Sequence, residues 1–174
     1  MNSLNQLKKM NLTQIKLENI ERSLAPWIER NALTLLRISI GIVFVWFGTL
    51  KFFPGLSPAQ DLAINTITLL TFGIVPPTAI ILGLALWEVL IGLGFLTGKF
   101  MKAGIVLLLA QMTGTFAPIF FFPEEVFTKI PYGLTLEGQY IFKNIIIISA
   151  ALVLGSRIFK KPSYKGQTQD NMAK

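Results

Sequence analysis

The residue that most clearly could take part in chemistry is Glu88, which lies inside a long apolar run between Ile80 and Leu96. A carboxylate near the middle of a lipid bilayer is costly unless it has an oppositely charged partner or a function. Such a group can accept and pass a proton, or it can form an ion pair with a cation of a neighbouring helix. The sequence therefore predicts a site around Glu88, within a region that crosses a membrane.

Other polar side chains recur at helical spacing in the neighbouring apolar segments. Arg37 and Lys51 belong to a series of residues that recurs at intervals of three and four positions. In a helix this spacing places both residues on one face. A later segment presents Gln111 on a polar face in the same way. We predict Glu88 as the catalytic residue, and as ligand-binding residues we predict Arg37, Lys51, Gln111, Gln139, Tyr140, Lys143 and Asn144.

The apolar segments carry more positive than negative charge. Unless carboxylates of a loop fold in to balance them, the outer half of the protein would enclose a cationic cavity, suited to an anion or to the carbonyl oxygens of a quinone. Three other interpretations stay open: a structural ion pair between Arg37 and Glu88, basic side chains that extend to the membrane surface, and charges that serve assembly alone. The cations are Arg37, Lys51 and Lys143, and the loop carboxylates are Glu124, Glu125 and Glu137.

The composition predicts an all-α integral membrane protein. Of the 174 residues 52% are hydrophobic and only 14% are charged, and the mean hydropathy is +0.59. We predict a four-helix bundle in one domain, because four apolar stretches are long enough to cross a bilayer of about 30 Å. A short interfacial or re-entrant helix is expected between the first and second spans. The predicted spans are 33–53, 76–96, 103–122 and 138–158, and the short helix is 57–72.

The segments that flank this domain set its orientation. Residues 1–30 mix spaced leucines with lysines, which predicts an amphipathic interfacial helix that Pro26 interrupts. The domain itself covers 31–158, and the polar tail 159–174 is expected to be disordered. Positive residues gather in the N-terminal segment, between Lys99 and Lys102, and in the tail, so we predict that both termini are cytoplasmic.

The amino-acid types exclude several kinds of chemistry. The chain contains no cysteine and no histidine, so disulfides, iron–sulfur clusters, histidine-ligated haem and the usual zinc sites are not expected. Any redox chemistry would need a bound organic cofactor such as a quinone. The net charge of +7 does not indicate nucleic-acid binding, because the basic residues lie beside the apolar segments and no recognition motif accompanies them.

Three segments of the chain resemble the DoxX family, small bacterial membrane proteins of four helices. The resemblance implies a multi-pass protein of the bacterial inner membrane and a redox or oxidative-stress role, because relatives include a subunit of a thiosulfate:quinone oxidoreductase and partners of soluble redox enzymes. The resemblance also implies which positions form the functional site: Arg37, Gly48, Lys51, Glu88 and residues 140–144. The absence of cysteine argues against direct sulfur-relay chemistry. The three segments are Leu36-Arg37 through Trp46-Phe47-Gly48-Thr49-Leu50-Lys51-Phe52, Trp87-Glu88-Val89-Leu90-Ile91-Gly92, and Leu136-Glu137-Gly138-Gln139-Tyr140-Ile141-Phe142-Lys143-Asn144.

We therefore expect a subunit or membrane anchor of a quinone-linked redox or oxidative-stress system, with the lipid bilayer and a soluble redox enzyme as partners. In this hypothesis Lys51 and Lys143 attract the ligand, Glu88 handles a proton, and Arg37 tunes Glu88, while Gln139, Tyr140 and Asn144 orient the ligand by hydrogen bonds. Two alternatives stay open: a small permease for an organic or sulfur-containing anion, and a non-catalytic scaffold for a soluble enzyme.

Overall fold

A computed structural model describes the backbone of residues 2–159 and the side chains of residue 14 and residues 18–159. Four helical stretches in this part, Glu18–Leu50, Pro77–Thr97, Met101–Phe121 and Leu136–Ile158, are long and apolar enough to cross a membrane, which confirms the prediction at this level. The predicted tail lies outside the described residues from residue 160 onward. The elements are α1 (Asn2–Leu50), α2 (Gln60–Leu70), α3 (Pro77–Thr97), α4 (Met101–Phe116), α5 (Pro118–Phe121), α6 (Pro123–Val126), β1 (Phe127–Lys129), β2 (Gly133–Leu134) and α7 (Leu136–Ile158).

Helix α1 is continuous through Pro26, so the predicted interruption there is wrong. A proline removes a single intrahelical donor, and the long helix keeps its regular bonds on both sides of that position. The Arg30 Nε atom also donates to the Pro26 carbonyl oxygen at 3.2 Å. Residues 2–30 thus extend the first span as one helix, and the interfacial location of the predicted N-terminal segment stays a prediction.

Helix α2 begins later than the sequence predicts. Ser57 does not cap it; Ala59 precedes the helix in a left-handed conformation (φ 52°) and provides no capping side chain. Leu62 and Thr66 are buried, and α2 packs against α3. These two residues are four positions apart, which places them on the same face of α2.

Helices α1 and α3 form the main packing interface and run antiparallel. Their backbones approach closely at Gly92, where a Cβ atom would lie 2.6 Å from the Val45 amide nitrogen and 2.8 Å from the Gly41 carbonyl oxygen. Further along, a Cβ atom at Gly48 would lie 2.9 Å from the Glu88 Cβ atom. Glycine is required at these contacts because any larger residue would separate the two helices.

This register sets where α1 ends relative to α3. With Gly41 beside Gly92 and Gly48 beside Glu88, the end of α1 at Leu50 lies near the level of Leu86. Helix α3 continues from there to its beginning at Pro77, about nine residues or roughly 13 Å. Over this length α2 packs against α3 in place of α1.

The remaining spans complete the structure. Helix α4 packs against α3 and α7, around a core that includes the fully buried Phe95, Ile105 and Leu108. The third span is divided at Pro118, where α4 gives way to α5. Between α5 and α7 the sequence did not predict helix α6 or the short antiparallel β1–β2 hairpin. Thr135 then caps α7, since its Oγ1 atom accepts from the Gly138 amide at 3.0 Å.

Candidate functional site

A cavity of about 760 Å³ lies between α1, α2, α3, α4 and α7, at the level where α1 ends. Most of its wall is apolar, and part of the wall is formed by exposed residues such as Ala79 and Gly83, so the cavity opens to the protein surface. Its polar wall groups include six of the eight residues that the sequence predicts for the site: Lys51, Glu88, Gln111, Tyr140, Lys143 and Asn144.

Glu88 forms an ion pair with Lys51. The Lys51 Nζ atom lies 2.7 Å from Glu88 Oε2, and the two side chains are only 11% and 12% exposed. Lys51 immediately follows the last residue of α1, and the glycine contact at Gly48 brings the helix end close to Glu88. Lys51 therefore does not extend to a membrane surface, as one open interpretation held, but neutralises the carboxylate.

Gln111 of α4 contacts the other oxygen of the same carboxylate. Its Nε2 atom donates to Glu88 Oε1 at 2.7 Å, so each carboxylate oxygen accepts a hydrogen bond. The Gln111 Oε1 atom is buried and has no hydrogen-bond partner among the described residues. The site thus combines a satisfied carboxylate with an unsatisfied amide oxygen.

Arg37 lies outside this cavity and does not contact Glu88, in contrast to the expected tuning role. Its Nη1 atom donates to the carbonyl oxygens of Phe95 and Leu96, at 2.6 and 3.0 Å. These carbonyls belong to the last turn of α3, where helix geometry leaves acceptors without intrahelical partners and favours a cation. The α1–α3 register brings Arg37 to this helix end and Lys51 to Glu88.

Helix α7 contributes three polar residues to the cavity wall, Tyr140, Lys143 and Asn144. The Lys143 Nζ atom lies 5.6 Å from the centroid of the Tyr140 ring, and the side chain is exposed. Among the described residues no carboxylate forms an ion pair with Lys143. Gln139, which the sequence also predicts for the site, is exposed and does not line the cavity.

The loop carboxylates do not balance the cations of this cavity. They line a second space of about 480 Å³ beside the start of α2, together with Asp61 and Gln60. Charge balance at the first cavity comes from Glu88, which neutralises Lys51 and leaves Lys143 as the remaining cation of the cavity wall within the described part of the chain. The loop carboxylates are Glu124, Glu125 and Glu137.

Several wall residues were not singled out from the sequence. Leu62 and Thr66 of α2 line the cavity, and so does Trp87, whose Nε1 atom donates to the Leu107 carbonyl oxygen at 3.3 Å. The four-residue spacing of Leu62 and Thr66 would have identified the inner face of α2. Nothing in the sequence indicated that α2 lies beside Glu88. This position of α2 depends on the level along α3 at which α1 ends.

The arrangement suits an amphipathic ligand better than a metal ion. Among the described residues no group of three or more histidine, cysteine, aspartate or glutamate side chains could hold a metal. The apolar wall can bury a hydrocarbon chain, while the Lys143 ammonium, the Tyr140 hydroxyl and the Asn144 amide can donate to a carbonyl or anionic headgroup. No protein-family model, curated protein or solved structure matches the chain.

Proposed function

We propose that this chain is a four-helix-bundle membrane protein of the DoxX type, which binds a quinone as a subunit or membrane anchor of a redox or oxidative-stress system. The observation that carries the proposal is the cavity, in which an apolar wall surrounds a small group of hydrogen-bond donors. A quinone has the same two parts, a hydrocarbon chain and a headgroup whose carbonyl oxygens accept hydrogen bonds.

A lipid setting for this cavity is supported by the outward faces of the spans. Trp46 of α1 is 65% exposed and Ile146 of α7 is 71% exposed, which suits contact with lipid rather than water. Since the cavity wall includes exposed residues of α3, a ligand dissolved in the bilayer could enter from the side. We propose that the protein lies in a bacterial inner membrane with both termini cytoplasmic, because Lys99, between α3 and α4, and Lys102, in the first turn of α4, are exposed.

The polar groups take separate roles in the proposed binding. Lys143 donates to a headgroup oxygen, because this residue lines the cavity and its ammonium pairs with no described carboxylate. Tyr140 and Asn144 lie on the same part of α7 and orient that headgroup. Glu88 can exchange a proton with the ligand, while Lys51 and Gln111 hold its carboxylate in place. A soluble redox enzyme would supply or remove the electrons.

An anion permease is less well supported than a quinone site. Pairing with Glu88 neutralises Lys51, so the cavity carries less positive charge than three unbalanced cations would give it. Most of the wall is apolar, which suits a small hydrophilic anion poorly. Uptake of a labelled organic anion by proteoliposomes, with no bound redox-active molecule, would replace the quinone proposal.

The test begins with the protein purified in mild detergent. Mass spectrometry of a lipid extract should reveal stoichiometric quinone, and the protein should bind decyl-ubiquinone. Lys143→Ala should weaken that binding about tenfold or more, which corresponds to the loss of a charge-assisted hydrogen bond. Lys99→Ala, which removes an exposed lysine away from the cavity, is the matched control. A protein that neither retains nor binds a quinone would contradict the proposal and favour the scaffold alternative.

A further inference from the structure

Helix α1 extends well beyond the helices that pack against it. Leu33 is its first described residue that packs against the core, and Arg37 already lies at the end of α3. A span needs about 20 residues, which residues 31–50 supply beside α3. Residues 18–30, here called the arm, continue the same helix and are all exposed. The arm is roughly 20 Å long, and no other described part of the chain covers it.

One face of the arm is apolar. Its large apolar residues recur at intervals of three and four, which places them on one side of the helix. Glu18, Arg22 and Glu29 lie on the opposite side, where water solvates their charges. The apolar side chains are about half exposed, so this face lacks a cover within the chain. They are Ile20, Leu24, Trp27 and Ile28, with exposed fractions of 47%, 49%, 50% and 51%.

The same face continues into the membrane span. Leu35 and Ile42 follow Ile28 at steps of seven residues, and they are 47% and 53% exposed. A seven-residue repeat is the spacing at which two helices stay in contact as they supercoil around each other. Helix α1 uses a different face, with Gly41 and Gly48, to pack against α3. Its outward face is therefore open along the arm and along the span.

We propose that this outward face of α1 binds the same face of a second copy of the chain, so that two copies form a parallel dimer. Two copies in one membrane have the same direction, and confinement to the bilayer raises their effective concentration. The arm needs no separate folding step, because it continues a helix that the bundle already holds. Neighbouring spans are possible, since Leu35 and Ile42 leave the outward face open.

A polar residue inside this face supports pairing in register. Asn31 follows Trp27 by four residues and lies on the same side of α1. Its Nδ2 atom donates to the Trp27 carbonyl oxygen at 2.8 Å, which uses one of the two amide hydrogens. The second hydrogen and the side-chain oxygen can bond the same amide of a second copy. A single asparagine in a helix seam favours in-register pairing in this way.

The membrane surface suits the arm less well than a second copy does. A helix that lies on a membrane turns by about a right angle from a span and carries lysine and arginine on its polar face. Helix α1 has no break between arm and span, and the arm contains three glutamates against two arginines. A soluble partner would cover the arm only, whereas a second α1 matches the face along its whole length.

The first experiment uses single cysteines, since the chain contains none of its own. Leu24→Cys should give a disulfide-linked dimer when membranes that contain the full chain are mildly oxidised. In a parallel seam the same residue of two copies lies within the roughly 4–7 Å between Cα atoms that a disulfide needs. Glu29→Cys, on the opposite side of the arm, is the matched control and should link about tenfold more slowly. Equal rates at the two positions, or no linked dimer at either, would overturn the inference.

The second experiment measures energy transfer in liposomes between donor- and acceptor-labelled chains, with the labels on Lys99→Cys. Transfer should persist as the chains are diluted with lipid. Adding Leu24→Lys should weaken the association about tenfold or more, because it places like charges in the seam. Glu29→Lys adds the same side chain on the opposite side and should leave the transfer unchanged. Both positions lie outside the bundle, so neither variant alters its core.

Absence of energy transfer in chains that carry only the label would overturn the inference. Labelling of Leu24→Cys by a water-soluble maleimide then identifies the cover of the face. Protection that requires only vesicles would show that lipid covers the arm in place of a second copy.

Discussion

Arg37 and Lys51 lie on the same face of α1, but the two ends of this face contact different kinds of partner. Arg37 donates to main-chain carbonyl oxygens at the end of α3, in the region where glycines bring the two helices together. Lys51 pairs with the Glu88 carboxylate, where α1 ends and the cavity begins. Similar charges on one helix thus contact a closed helix interface at one end and border a cavity at the other.

The two ends differ physically because Lys51 contacts a carboxylate that borders the cavity, whereas Arg37 contacts main-chain carbonyl groups. A carbonyl group is neutral, so Arg37 stabilises a helix end without producing a charge-balanced pair. Glu88 is charged and buried, so its stability depends on Lys51. We therefore expect changes at the Lys51 end to be more damaging than changes at the Arg37 end.

The largest effect should follow from Lys51→Met, which leaves the Glu88 carboxylate buried without its cation. We expect the free energy of unfolding to fall by about 3–5 kcal/mol, measured by denaturant titration in detergent. The double variant Lys51→Met with Glu88→Gln removes both charges and should recover most of the loss. A double variant that is no more stable than Lys51→Met alone would show that the ion pair is not the source of the effect. Lys129→Met, an exposed lysine of β1, is the matched control.

A smaller effect should follow from Gly92→Ala, which tests the close approach of α1 and α3. The new Cβ atom would meet backbone atoms of Val45 and Gly41 at 2.6 and 2.8 Å, and backbone cannot move aside cheaply. We expect a loss of about 1–3 kcal/mol in the free energy of unfolding. Gly83→Ala is the control, because a Cβ atom there meets open space and alanine favours the helix.

The glycine substitution also tests how the site is held. If the α1–α3 contact positions Lys51 beside Glu88, Gly92→Ala should weaken binding of decyl-ubiquinone, whereas Gly94→Ala, at a glycine of the same helix outside the cavity wall, should alter it less. Binding that stays unchanged in Gly92→Ala would mean that the cavity does not depend on this interface.

The smallest effect should follow from Arg37→Met, which removes the hydrogen bonds to the last turn of α3. We expect a loss of about 1 kcal/mol in stability and no change in ligand affinity, since Arg37 does not line the cavity. Arg30→Met is the matched control, because Arg30 donates to the Pro26 carbonyl of its own helix and to no other helix among the described residues. A strong loss of ligand binding in Arg37→Met would connect the two ends of α1 and contradict the separation described above.

The sequence predicted much of the helical framework and most of the candidate site residues. Long apolar stretches and the spacing of polar residues along them are properties of the chain alone, so four long apolar helices and the polar wall groups of the cavity could be inferred. Gln139, also predicted for the site, does not line the cavity, although Lys143 one turn further along α7 does. Pro26 was wrongly expected to interrupt α1.

The sequence by itself determined that a carboxylate at Glu88, inside an apolar span, would need an oppositely charged partner or a function. Only the tertiary structure decided that this partner is Lys51 and not Arg37. Both basic residues occupy the same face of α1, so their spacing cannot distinguish them. The choice depends on how far α1 slides along α3, and the close contacts of Gly41 and Gly48 with α3 fix that position because they leave no space for another register.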